Sequence, residues 1–259
     1  MKNKKTNSKR YIELDILRGL AIVLMIFGHL LWDLDYFNLV PIDNILYKTL
    51  QSIVPAMFFI IVGLSIIVGR MKKDMTKKEE KNYQLRLIKR GLKIFNLGMI
   101  LTIGSILFIP NRPVIFGVLH CIGLSIIISA LFIRTKKYNI IFSLIFIGIG
   151  YYLMYNYFSN PSIVQMILGM HPKAFWTQTV DYFPLLPWFG VVLFGMSIGY
   201  YVFELKKQNK INIKIPDFSK YKPARLFSWI GRYSLEIYLV HQPIIAGTLF
   251  LYIKYFKVF

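Results

Sequence analysis

Long apolar runs broken by short basic stretches restrict this chain to one solvent in which it can fold. A helix crosses the ~30 Å hydrocarbon core of a bilayer with roughly 20 apolar residues at 1.5 Å each. The sequence offers seven such runs, at about 12–33, 50–69, 87–109, 114–133, 138–158, 182–204 and 227–253. Of 259 residues, 56% are hydrophobic. Backbone groups inside a bilayer must satisfy one another, so runs of this length predict helices. The expected fold is an all-α, polytopic integral membrane protein with about seven transmembrane helices.

The formal net charge of +20 would suit nucleic acid, but its distribution argues against that partner. Twenty-four Lys and Arg residues fall before the first run and in the loops after the second, fourth and sixth. The alternate loops and the carboxy-terminal tail hold five: Lys48, Arg112, Lys173, Lys254 and Lys257. By the positive-inside rule the amino terminus is cytoplasmic and the carboxy terminus outside. The charge therefore encodes topology and attraction to an anionic lipid bilayer, with no nucleic-acid partner. A secretory signal has a shorter apolar stretch and a small-residue cleavage site, so the first run is expected to stay in the protein. Cys121 is the sole cysteine, which permits no internal disulfide and offers no metal-ligand spacing. Neither a repeat nor a soluble insert interrupts the pattern, and one integral domain over 1–259, with a short basic tail at 1–10, is the simplest organisation. Gly63, Gly69, Gly195 and Gly199 at small-residue spacing predict close helix packing.

Within the first run, LDILRGLAIVLMIFGHLLWDLDYF, four ionisable residues share one stripe. Eleven residues at ~100° each bring Arg18 and His29 to within ~20° of one another around the helix, ~16 Å apart along it. Asp15 lies three residues before Arg18 and Asp33 four after His29, so each pair is within helical contact range. Taken singly, Arg18 suits a headgroup and Asp33 an interface. Four together suit a cavity or a ligand, because ionisable groups inside a span are costly.

Other polar residues recur at membrane depth. FGVLHCIGLS puts His120 in the fourth run. DYFPLLPWFGVVLFGMSIG opens the sixth with Asp181 and Trp188. WIGRYSLEIYLVHQPII places Arg232, Glu236 and His241 in the seventh. Arg232 and Glu236 have the i,i+4 spacing of an ion pair, and His241 precedes Pro243, where the helix loses a backbone bond.

ELDILRGLAIVLMIFGH resembles the opening motif of transmembrane acyltransferases, with Arg18 and His29 at the matching spacing. FFIIVGLSI, FGVLHCIG, DYFPLLPWFGVVLFGMSIG and GRYSLEIYLVHQP resemble, in order, the later blocks of the bacterial branch of the heparan-alpha-glucosaminide N-acetyltransferase catalytic-domain family. The resemblance covers about 10–245. It implies an N- or O-acyltransferase that moves an acetyl or other acyl group from acetyl-CoA, or another acyl-CoA, to an amine or hydroxyl of a sugar or cell-envelope glycan. It also implies a multi-pass protein of a bacterial plasma membrane, with no oligomeric state specified.

Histidine serves acyl transfer as base or nucleophile, which makes His29 the expected catalytic residue. Asp33 would orient its imidazole as the carboxylate of a triad does. Arg18 would bind the phosphates of coenzyme A through its planar fork, and the Arg18–His29 separation matches the reach of an extended pantetheine arm. His120, Arg232, Glu236 and His241 complete the expected cofactor-binding set. Asp181 and Trp188 form the expected acceptor-binding set, and no metal is expected. Animal lysosomal relatives carry an active histidine in the first luminal loop. The corresponding loop here, DLDYFNLVPIDNILYKT, has none, so His29 or a distant histidine must act. The rival reading is a proton-coupled transporter, since proton relays use the same residue types, although no inverted repeat favours it.

Overall fold

The computed structural model describes residues 11–41, 44–71, 75–173, 175, 178–208 and 218–256. The expected basic tail at 1–10 lies outside these residues. The described chain is helical apart from short loops and one isolated bridge between Phe116 and Tyr182. Its α-helices are α1 (Ile12–Tyr36), α2 (Asn44–Met71), α3 (Lys77–Phe108), α4 (Val118–Ser129), α5 (Asn139–Tyr155), α6 (Ile163–Leu168), α7 (Leu185–Lys207), α8 (Lys222–Arg232) and α9 (Ser234–Phe256). By length and composition α1, α2, α3, α5, α7 and α9 can each cross a membrane, and α4 is a shorter apolar helix. The protein is thus a polytopic, all-α membrane protein.

Four of the expected runs have clearly different ends in the structure: the second, expected at 50–69, is Asn44–Met71. The fourth, expected at 114–133, forms only the 12 residues of α4. The seventh, expected at 227–253, is two helices: α8 ends at Arg232, the chain turns at Tyr233, and α9 starts at Ser234. The third starts about ten residues early, because Thr76 and Glu79 close a capping box on the first turn of α3 and satisfy its free N–H groups. One residue on, Glu80 is buried and accepts from Arg70 at 2.8 Å and Arg134 at 2.5 Å. The two guanidinium groups offset the cost of withdrawing that carboxylate from water.

The chain packs as two compact units, one within Met1–Phe58 and Lys214–Phe259, the other Phe59–Ile213. In the first, α1 buries Ile22 and Met25 against Val54 of α2, with Ile230 of α8 and Ile237 and Tyr238 of α9 packed around them. Helices α1 and α8 touch backbone to backbone. A Cβ at Gly231 would lie 1.8 Å from the Asp15 carbonyl oxygen, and one at Gly19 would lie 2.0 Å from that of Phe227. Only glycine permits this approach. Pro223 in the first turn of α8 is preset for a helix start.

The second unit is built on the same device. A Cβ at Gly63 would meet the Val192 carbonyl oxygen at 2.0 Å, and one at Gly195 would meet that of Ile60 at 2.3 Å. The expected close packing at these glycines is therefore present, and it seals Phe59, Val192, Leu193 and Met196 completely from solvent.

Candidate functional site

Four polar side chains of α1 and α9 gather in the first unit. On α1, the heptad-like spacing of Ile22, Met25 and the residues around them buries one stripe of the helix, and His29 and Asp33 extend that stripe toward its carboxy-terminal end. His29 turns its ring along its own helix, and Nδ1 lies 3.0 Å from the Met25 carbonyl oxygen. A carbonyl can only accept, so Nδ1 carries the proton and Nε2 of the neutral ring carries the lone pair. On α9, His241 does the same: its Nδ1 donates to the Tyr238 carbonyl at 2.6 Å. The two rings meet edge to face with centroids 4.9 Å apart. Beside them the Gln242 amide nitrogen donates to both oxygens of Asp33, at 3.0 and 3.1 Å, across 209 residues of sequence.

This arrangement changes the expected triad. Asp33 is buried, but its carboxylate is held by Gln242 and the orienting partner of His29 is the Met25 carbonyl. Gln242 was not among the expected site residues. Its sole sequence signal is its place in HQP, between a histidine and a proline, and that spacing says nothing about which carboxylate it reaches.

Arg18 lies about three turns before His29, nearer the start of α1. Its Nη1 donates to Asp15 at 2.9 Å, and the carboxylate is buried while the guanidinium stays about one quarter exposed. The contact between Asp15 and Gly231 of α8 fixes that turn of α1 and therefore the root of the arginine.

The remaining expected residues have other surroundings. His120 and Asp181 lie together in the second unit at the start of α4. The Gly117 N–H donates to His120 Nδ1 at 3.2 Å, and the Val118 N–H donates to Asp181 Oδ2 at 3.1 Å. Both side chains satisfy donors that a helix leaves free at its first turn. His120 Nε2 faces the Thr102 hydroxyl at 3.5 Å, and its ring sits against Phe95 and Phe116. Asp181 lies outside the spans, and burial pushes its carboxyl up to about 6, against a smaller pull from the Val118 N–H. Trp188 stacks on Phe59 with centroids 5.0 Å apart and packs on Phe183, which gives its ring a packing role.

Arg232 and Glu236 are exposed and form no ion pair with each other. The turn at Tyr233 separates them, so the helical i,i+4 geometry behind that expectation is lost. A further histidine, His171, escaped notice in the sequence because it lies between apolar runs. It is buried among Tyr157, Phe175 and Tyr182, and its Nδ1 donates to the Pro172 carbonyl.

The model of the family described as heparan-alpha-glucosaminide N-acetyltransferase, catalytic, matches residues 10–243. That span contains α1 through the start of α9 and includes all four side chains of the α1/α9 cluster. Comparison with curated proteins and with solved structures finds no match.

Proposed function

The chain belongs to the heparan-alpha-glucosaminide N-acetyltransferase catalytic-domain family and is a membrane acetyltransferase; from that premise we propose that it takes its acyl group from an acyl-coenzyme A thioester and delivers it to an amine or hydroxyl of a cell-envelope sugar. The observation that carries this reading is the state of His29. Its Nδ1–H is committed to Met25, and Nε2 has no hydrogen-bond partner among the described residues. A neutral imidazole held in one tautomer with its lone pair free is what a base or nucleophile of acyl transfer requires.

Arg18 is the phosphate ligand in this proposal. It is on the same unbroken helix as His29, ~16 Å away along the axis, and its guanidinium is about one quarter exposed. Coenzyme A, when bound, supplies the activated acyl carbon. Arg18 holds its phosphates at one end and His29 meets the thioester at the other. With the basic loops on the cytoplasmic side, the start of α1 faces the pool of acyl-coenzyme A and His29 lies toward the outer leaflet, where a glycan acceptor would be found. A bacterial plasma membrane fits this arrangement.

The test is transfer by the purified protein with acetyl-coenzyme A as donor and glucosamine as acceptor. Arg18→Ala should raise KM for the thioester by roughly tenfold or more with a smaller change in kcat, because its contacts are remote from the reacting carbon. Arg18→Lys should recover part of that loss. Unaltered thioester affinity in a folded Arg18→Ala protein would remove the phosphate role.

A further inference from the structure

We propose that His241 is a second catalytic histidine, the base that draws the proton from the acceptor while His29 carries the acyl group. This rests on the acyl-transfer reading above. The two rings form one cluster, with centroids 4.9 Å apart, and both commit Nδ1–H to a carbonyl of their own helix. Each therefore keeps a lone pair on Nε2. His241 is only 7% exposed, and its Nε2 is buried without any hydrogen-bond partner. The adjacent Gln242 repeats the pattern, because its nitrogen is spent on Asp33 and its Oε1 is buried and unpartnered. Unsatisfied buried acceptors are rare and call for an explanation. Here two occur side by side, next to a third acceptor on His29, and none of the three has a hydrogen-bond donor among the described residues. A ligand bearing N–H or O–H groups supplies what they lack.

A packing role for His241 explains only half of it. Pro243 frees the carbonyl of Leu239, yet His241 donates to Tyr238. That bond moreover uses Nδ1 and leaves Nε2 bare.

The chemistry balances with both rings neutral at the start. His29 Nε2 attacks the thioester carbonyl carbon; the C–N bond forms, the C–S bond breaks, and coenzyme A leaves as its thiolate. The acylated His29 ring is now a cation, with Nδ1–H still on the Met25 carbonyl, and His241 is neutral. The acceptor amine or hydroxyl then attacks the acyl carbon. Its proton passes to the free lone pair of His241 Nε2 and the bond to His29 breaks, leaving His29 neutral. His241 gives that proton through solvent to the departed thiolate, and the starting state returns. One positive charge passes from ring to ring and never doubles, with the Asp33 carboxylate held close by through Gln242.

The experiment compares wild type, His29→Asn and His241→Asn in detergent. Asparagine places an amide donor near the position of Nδ1, so the carbonyl bond can persist while Nε2 is lost. Acetyl-coenzyme A is the donor, and the acceptors are water, which needs a base, and hydroxylamine, which attacks without prior deprotonation. Thiol release, intact protein mass and thermal unfolding are followed together. His241→Asn should release one thiol per chain and hold the acetyl group, with hydrolytic turnover at least ~100-fold below wild type. Hydroxylamine should discharge the acetylated variant at close to the wild-type rate. His29→Asn should never become acetylated.

A folded His241→Asn that hydrolyses the thioester within twofold of wild type overturns the proposal. So does a folded His241→Asn that fails to acetylate, or that hydroxylamine cannot discharge. If wild type turns over the thioester with no acetylated protein at any time, the division between nucleophile and base is wrong while acyl transfer stands. If wild type neither acetylates nor releases thiol, the acyl-transfer reading itself fails, whatever His241 does.

Discussion

The His29–His241 pair of the first unit and His120 of the second use histidine in opposite ways. In the first, His29 and His241 donate from Nδ1 to their own helices and keep Nε2 as a bare acceptor. In the second, His120 accepts the Gly117 N–H at Nδ1 and turns Nε2 to Thr102. One tautomer exposes a lone pair to chemistry. The other spends it on the end of a helix. Residue type is the same in both cases, so it does not identify a catalytic histidine. What separates them is the partner of Nδ1, a carbonyl for His29 and His241 and an N–H for His120.

The largest expected effect puts this contrast to a direct test. His29→Asn should lower turnover per folded molecule by about 10²–10⁴-fold with little change in thermal unfolding. His120→Leu should do the reverse. It leaves the Gly117 N–H without an acceptor, at a cost of about 1–3 kcal/mol, and turnover per folded molecule should stay close to wild type. Kinetics and melting on both variants decide it, and a folded His120→Leu protein without activity would break the comparison.

Next in size is the contact that fixes the foot of α1. Gly231→Val would drive a side chain into the Asp15 carbonyl, where a Cβ has only 1.8 Å, and should cost at least about 1–3 kcal/mol as an overpacking. Gly247→Ala in α9 meets nothing within 4 Å and should be neutral or stabilise by up to ~1 kcal/mol, as alanine does in a helix. Equal melting temperatures for the two variants would show that α1 and α8 are not in backbone contact.

The smallest effect concerns pH. Asp181, beside His120 at the start of α4, has its carboxyl pushed up to about 6 by burial, against ~3.9 for a free aspartate. The folded chain thus holds this proton more tightly than the unfolded chain. Its contribution to stability is full below about pH 4 and is lost as pH rises through about 6. In Asp181→Asn the part of the stability decline between pH 4 and 7 that belongs to this group should vanish. Thermal unfolding of both proteins across that range measures it, and identical pH profiles would mean that Asp181 keeps an ordinary carboxyl.

What the sequence determined by itself is local. Apolar length marks the spans, because a bilayer admits few alternatives to a helix. Helical period puts Arg18, His29 and Asp33 on one stripe of α1, and small-residue spacing marks Gly63 and Gly195 as contact points. These follow from 3.6 residues per turn and from the absence of a side chain, and no distant residue is needed to state them. Helix ends were harder to read: α4 is shorter than its apolar run, and the last run is divided at Tyr233, inside an apolar stretch.

Only the tertiary structure decided the partners. Asp33 and Gln242 are 209 residues apart, and nothing in the spacing around either predicts that the carboxylate is claimed by an amide from α9 and not by the imidazole one turn away. The pairing of His29 with His241, and the contrast with His120, have the same origin. A hydrogen-bond partner depends on which backbone or side chain the packing brings within 3 Å, and a side chain's role depends on that partner, so the site became legible only once the helices were in contact.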